Sequence, residues 1–336
     1  MMVMHSMTAS LRLVYPPISN QHADWLLEDA AARERLDTAK LYMIAARREV
    51  EFHNLAWNED EQVLSFDLGF PGELVAGSVD VDAIMEDWPR SERGAADVAA
   101  GPKRIEISDV NGAGYPVWFT PDKFLWNVWR GHKYVSFAGD VRQFAKYDLL
   151  YIGMSQDSAF KRLVALPHEA RLKILTNELV RGAQGRLSEE IMFFFFDIDP
   201  LFVSTYGDDD EIDDVAVDML MNPLKRVQPQ VLVEDAEKAF IKMLQTPYNR
   251  RRYHKYPAIA KGLADTILQR YGYSIAEDLS FMIGDLEMVG GYAEGLPCSN
   301  DADFIFVDGP TASLVDISER MRTEFDGAAS DEQGPA

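Results

Sequence analysis

Residues 151–163 read YIGMSQDSAFKRL. The stretch leading into them, 148-DLLYIGM-154, is apolar and reaches a glycine near its end, the mark of a strand that another group approaches closely. Asp157 or Ser158 then caps a predicted helix over Asp157–Leu166. A second stretch, 233-VEDAEKAFIKMLQTPYN-249, completes the pattern. Val233, Phe240, Ile241 and Leu244 stand at offsets of −4, +3, +4 and +7 from Glu237, which is one face of an α-helix. Glu237 is therefore a carboxylate inside a stripe that should bury, capped near Leu232–Glu234 and stopped by Pro247. Burying an unpaired carboxylate costs several kcal/mol unless a metal, a cation or hydrogen bonds compensate. Such a placement marks a site.

Between and before these stretches lie predicted strands at Lys133–Ala138 and Asp148–Met154, and a helix at His168–Thr176. The run 191-IMFFFFDI-198 reads as a buried central strand. The order over about 126–256 is β-β-α-α-β-(α)-α. The polar residues riding on these elements are Tyr151, Arg162, His168 and Glu237, followed by Tyr248, Asn249 and Arg250–Arg252. Phosphodiester cleavage uses this kit. A carboxylate can hold a divalent ion that polarises the phosphate. An arginine binds phosphate as a fork, and a Tyr or His beside the attacking water moves a proton.

The string 151–163 resembles the second half of the GIY-YIG nuclease signature, YIG-x-S followed by an arginine on the first helix. The string 237-EKAFIKMLQTPYN-249 is similar to that superfamily's last helix, which a metal-binding Glu leads and a Pro-Tyr-Asn ends. The resemblance implies an α+β fold with a β-β-α-α-β-α core over 126–256. It implies Tyr151 orienting or activating water, Gly153 and Ser155 at the substrate approach, and Arg162 on the transition-state charge. His168 takes the place of the family's His or Tyr. Glu237 becomes the single protein ligand of Mg²⁺ or Mn²⁺, with Asn249 close by and Lys161, Arg171, Arg250 and Arg251 toward substrate. The first half-motif is degenerate: eleven residues before Tyr151 stands Asp140. Tyr134 is then the stand-in tyrosine, with the hairpin enlarged by 140-DVRQFAKYD-148, and Tyr147 the weaker choice. The implied activity is a metal-dependent endonuclease, with DNA ahead of RNA as partner. The rivals are an inactive nucleic-acid-binding module on the same fold and an interaction protein with coincidental motifs.

Outside this core, residues 1–125 read as a mixed, mostly β domain. Strands are expected at Leu11–Tyr15, Leu41–Trp57, Gln62–Phe70, Lys103–Ser108 and Tyr115–Phe119, a helix at Ala23–Leu36 and a loop at Pro89–Gly101. Residues 257–324 read as a C-terminal α/β appendage: a helix at Ala258–Tyr271, then strands at Leu279–Ile283, Leu286–Val289 and Asp303–Val307. Residues 325–336 read as a disordered tail. No apolar run approaches the roughly 20 residues that span a bilayer, and the single cysteine, Cys298, fits a reducing cytoplasm. The net charge of −22 disfavours nucleic-acid binding by the surface at large, since phosphate contacts need Lys and Arg. The acid is concentrated in 207-GDDDEIDD-214, however, so a local basic groove is compatible with it.

Overall fold

A computed structural model describes residues 4–86, 95–110, 116–183, 185–206, 217–218, 221–257, 262–295, 299 and 301–316. The fold is mixed α/β, with 39% strand against 27% helix, so a curled mixed sheet organises it. Its strands are β1 (Met4–Leu13), β2 (Ile18–Ser19), β3 (Leu41–Ala46), β4 (Glu51–Asn58), β5 (Val63–Phe70), β6 (Glu73–Asp80), β7 (Ala96–Ala100), β8 (Ile105–Asp109) and β9 (Val117–Phe119). They continue as β10 (Val135–Phe137), β11 (Lys146–Met154), β12 (Ile191–Thr205), β13 (Leu268–Ile275), β14 (Ser280–Ile283), β15 (Leu286–Val289), β16 (Phe304–Asp308) and β17 (Thr311–Val315). The main sheet runs β15-β14-β11-β3-β12-β1-β13-β16-β17, with β2 on β12. Among the described residues, β11–β14 and β1–β13 are its parallel pairs.

Consecutive apolar residues in β3 and β12 have a plain cause: both faces of the sheet are covered. Leu41, Met43 and Ala45 join Met192, Phe194 and Phe196 in one core. Tyr42, Ile44 and Ala46 join Ile191, Phe193 and Phe195 in a second core on the opposite face. The helix Pro229–Leu244 packs its stripe of Val233, Phe240, Ile241 and Leu244 into the first core. It begins earlier than the sequence suggests and ends at Gln245, whose φ of 49° closes the last turn. The helix Glu169–Asn177 covers the second face through Ile174.

The sheet corrects the domain boundaries expected from sequence. Strands from residues 1–46 sit at its centre, between β11 and β13, so neither 125/126 nor 256/257 separates folding units. Residues 47–145 instead form an excursion between two neighbouring strands, β3 and β11. It holds an antiparallel sheet β10-β6-β5-β4 and a smaller one, β7-β8-β9. Phe52, Phe66 and Phe124 meet edge to face at its centre. A buried ion pair of 2.9 Å, Arg47 at the end of β3 with Asp122 on the helix Pro121–Trp129, ties it to the main sheet. Tyr147 of β11 donates to the same carboxylate at 2.7 Å.

Other expectations shift locally. Leu41–Trp57 breaks into β3 and β4, and Ala23–Leu36 into two short helices, Asn20–Trp25 and Ala30–Leu36. Ala96–Ala100 is a strand where a loop was expected, and the described part of 258–271 is a short 3₁₀ turn leading into β13. The strands at 103–108 and 115–119 do pair, as β8 and β9. The acidic run 207–214, Cys298 and the tail 325–336 lie outside the described residues. Among the described residues no helix is long and apolar enough to cross a membrane.

Candidate active site

The site forms where β11 ends. Pairing with β3 carries a bulge there: Leu149 faces Ala45 and Tyr151 faces Ile44, leaving Leu150 as the extra residue. A bulge re-aims side chains, and Leu150 and Tyr151 both turn to the face that holds Tyr42. Gly153 stands opposite Tyr42 in register. A Cβ at Gly153 would lie 2.6 Å from both Cζ and Oη of Tyr42. The glycine is thus required by a tyrosine ring lying over it, which corrects the expectation that it makes room for a ligand.

Tyr42, Tyr151 and His168 form a cluster with ring centroids 5.5 to 6.1 Å apart. His168 is the N-cap of the helix Glu169–Asn177, and its Nδ1 accepts the Arg171 N–H at 3.1 Å. An imidazole that accepts at Nδ1 carries its proton on Nε2 when neutral. Nε2–H therefore donates to the Tyr42 hydroxyl, 2.8 Å away. Burial, with Arg162 and Arg171 adding to it, pushes the His168 pKa down to about 4 and keeps the ring neutral. Burial, the largest cause, raises both Tyr42 and Tyr151 and keeps both as phenols. His168 thus donates to Tyr42, whose ring lies 6.1 Å from that of Tyr151, and Tyr151 opens on the cleft.

Arg162 lies in a π turn, Lys161–Ala165, entered through Ser158, whose Oγ accepts the Lys161 N–H at 3.0 Å. Turns of this kind recur at functional sites. Arg171 holds this one in place, donating to the Leu163 and Val164 carbonyls, both at 3.2 Å, and to Asn20 at 2.8 Å. Its Nε and Nη1 are held by the fold and it does not line the cleft, so the expectation that it meets substrate is corrected.

On the far wall, Glu237 sits at the rim of its helix's apolar stripe, half-buried and open to the cleft. Burial raises its pKa, opposed by Lys238, the Met154 N–H, the Tyr253 hydroxyl and Arg251. The chain beyond the helix closes the wall by completing a sheet edge. Strand β14 pairs with only Lys146–Asp148 of β11. Past that point the Tyr248 N–H donates to the Leu150 carbonyl at 3.1 Å. The Asn249 amide accepts from the Ile152 N–H at 2.9 Å and donates to the Ile152 carbonyl at 2.8 Å. Asn249 acts as a strand surrogate that locks the Glu237 helix to β11, and it lines the cleft beside Glu237 as expected of a residue close to that site.

The resulting cleft measures about 760 Å³ and brings together Tyr151, Arg162, His168, Glu237, Arg250 and Arg251. Glu169, the other carboxylate on its wall, is engaged by Lys173 at 3.0 Å and by Arg250. Glu237 is thus the acid left facing the space, with Arg162 and Arg251 also on the cleft lining. Among the described residues no group of three or more His, Cys, Asp and Glu converges. One carboxylate in a cleft fits a hard divalent ion that keeps its waters and shares substrate phosphate, as Mg²⁺ does. Ser155 and Lys161 lie outside the cleft lining. Tyr134, the expected stand-in, is elsewhere: its hydroxyl donates to Asn127 at 3.1 Å, its ring stacks on His132, and β10 pairs with β6 instead of β11. Tyr147 points to the opposite face of the sheet, toward Asp122.

Tyr42 is the residue that sequence reading missed. Its signal was a second doubly apolar strand, 41-LYMIAA-46, comparable to 191–196. The excursion of residues 47–145 removed it from any spacing test against Tyr151. No protein-family model, curated protein or solved structure matches this chain.

Proposed function

We propose that this chain is a metal-dependent nuclease with a GIY-YIG-type core interrupted by an inserted β module. One observation carries the reading. Strand β3, far from β11 in sequence, lays Tyr42 against Tyr151, so the tyrosine pair exists without the first half-motif. Taking β3 as the first strand and setting aside the inserted module and the short helices Leu187–Glu190 and Pro223–Arg226, the order β3, β11, the π turn of Arg162, the helix Glu169–Asn177, β12 and the helix Pro229–Leu244 resembles β-β-α-α-β-α. That is the order the family resemblance implies.

Glu237 would hold Mg²⁺ or Mn²⁺, which when bound polarises the phosphate and offsets its developing charge. Arg162 grips the phosphate opposite Glu237, and Arg251 adds positive potential on the same wall. Tyr151, a neutral phenol at the edge of the cleft, orients the attacking water. His168 stays neutral and holds Tyr42 in its donor orientation. The basic cleft within an acidic chain confines polyanion binding to this place.

The test is nicking of supercoiled plasmid, with a structured RNA in parallel, in Mg²⁺ or Mn²⁺. Arg162→Ala should cost on the order of 10²–10³-fold in rate, and Glu237→Ala should remove the metal dependence. An intact chain that binds but does not cut, or a Glu237→Ala variant as active as the parent, would overturn the proposal.

A further inference from the structure

One oxygen of Glu169, Oε1, is shared by two cations that stand on separate elements of the cleft lining. Lys173 reaches it at 3.0 Å from one turn along the same helix, and Arg250 donates to it from the segment beyond the Glu237 helix. All three residues line the cleft. A Glu–Lys pair at i,i+4 is ordinary surface chemistry on a helix. The guanidinium is what sets this one apart, because it comes from elsewhere in the chain to the same oxygen. The backbone on either side of Arg250 is fixed: the Asn249 amide bonds both backbone groups of Ile152, and Arg252 donates to the Thr246 carbonyl. The side chains are not fixed in the same way. Arg250 is 72% exposed and Glu169 64%, so the bridge lies in water. An exposed ion pair contributes little, and either partner can be exchanged at small cost.

We propose that Lys173 and Arg250 form a phosphate-binding subsite beside the Arg162 and Glu237 centre, and that the Glu169 carboxylate fills it until a phosphodiester group of the substrate takes its place. The inference rests on the cleft binding nucleic acid, as in the proposed function, and not on cleavage. An anionic oxygen held between an ammonium and a guanidinium is the contact that a phosphate oxygen makes. A phosphodiester carries the same single charge as the carboxylate it displaces, so the exchange leaves both cations paired and releases Glu169 to water. A nucleic acid brings neighbouring phosphates with the reacting one, and a cleft built for the reacting group alone would leave them without partners. Arg162 and Arg251 then serve the reacting phosphate, and Lys173 and Arg250 a neighbouring one. Glu169 also stands in the first turn of its helix, where a carboxylate is favourable whatever binds nearby. That role predicts an effect on stability and none on affinity.

The test is binding of a short fluorescein-labelled DNA duplex, with a labelled RNA hairpin in parallel, to the full chain. Anisotropy is followed in EDTA over a range of salt concentrations, so that neither metal nor cleavage enters. Glu169→Gln should tighten binding by about two- to fivefold, the factor that an exposed ion pair commands. Arg250→Ala and Lys173→Ala should each weaken binding and lower the slope of log K against log salt by about one. In a chain carrying both alanines the gain from Glu169→Gln should vanish, since no cation remains to be released. The three side chains are solvent-exposed, and a urea midpoint near the parent's shows that each variant keeps the fold. A gain that persists without the two cations would mean a carboxylate repelling the probe through space, and overturns the subsite. Glu169→Gln binding no better than the parent, or parental affinity and slope in both alanine variants, overturns it as well. Those results leave the nuclease reading standing, whereas a parent that binds neither probe at low salt overturns both.

Discussion

Gly153→Ala adds one methyl group, and the structure says where it goes. The new carbon would sit 2.6 Å from Cζ and Oη of Tyr42 and 2.8 Å from Cε1 of Tyr151. Ordinary carbon contacts lie near 3.5–4.0 Å, so the Tyr42 ring must retreat by about 1 Å. It has little room to do so. The ring is fully buried, stands opposite Phe195 in register and is hydrogen-bonded to His168. Overpacking of this kind costs about 1–3 kcal/mol. A displacement of about 1 Å in a reacting constellation costs on the order of 100-fold in rate. Urea unfolding would read the first quantity and plasmid nicking at saturating Mn²⁺ the second. Tyr42→Leu removes the atoms that clash, so Gly153→Ala should destabilise that background less than the parent, a coupling that a double-mutant cycle isolates. A Gly153→Ala chain that nicks and unfolds like the parent would refute the packing argument and the tyrosine pair with it.

Three further outcomes follow from the same geometry. Tyr42→Phe keeps the ring but deletes the hydroxyl that meets His168 beside Tyr151, and should lower the cleavage rate by about 10²-fold; Tyr134→Phe, assayed beside it, should leave the rate unchanged. His168 has a folded pKa of about 4 against about 6.5 unfolded. The unfolded chain therefore binds the extra proton, and this stabilisation, fully present above the unfolded value, is lost as pH falls through the folded one. Urea midpoints should show the parent losing about 1 kcal/mol more than His168→Asn between pH 7 and pH 5, the full shift being discounted for solvent screening; an equal loss in both would contradict the neutral imidazole. Asp122→Ala strands the Arg47 guanidinium in the interior and should destabilise the chain by about 3–5 kcal/mol, measured by chemical denaturation.

Under the proposed function, the cleft would reconcile an acidic chain with an anionic substrate. Lys173 and Arg250 neutralise Glu169 on its rim, leaving Arg162 and Arg251 to face the space. The fixed dipoles and cations that matter are those within a few ångströms of the substrate, because charge farther away is screened over about 8–10 Å in physiological salt. The net charge of the whole chain says little about a groove of this depth.

Much of the site was legible in local sequence because it depends on local structure. The offsets around Glu237 follow from helical periodicity, and the buried run of Phe193–Phe196 from a sheet covered on both faces. Tyr151, Arg162, His168 and Glu237 could be picked out because each sits on an element whose pattern spans fewer than twenty residues. The roles of Asn249 and Arg171 were not legible, since a side chain's hydrogen-bond partners are set by whatever the tertiary fold brings to it. Nor was Tyr42. Pairing between β3 and β11 is chosen by cross-strand packing and backbone hydrogen bonds, which carry no record of how much chain intervenes. Residues 47–145 fold on their own sheets, so the chain leaves and re-enters the site with its two tyrosines still adjacent. Periodicity decided which faces bury; only the assembled sheet decided which tyrosine stands beside Tyr151.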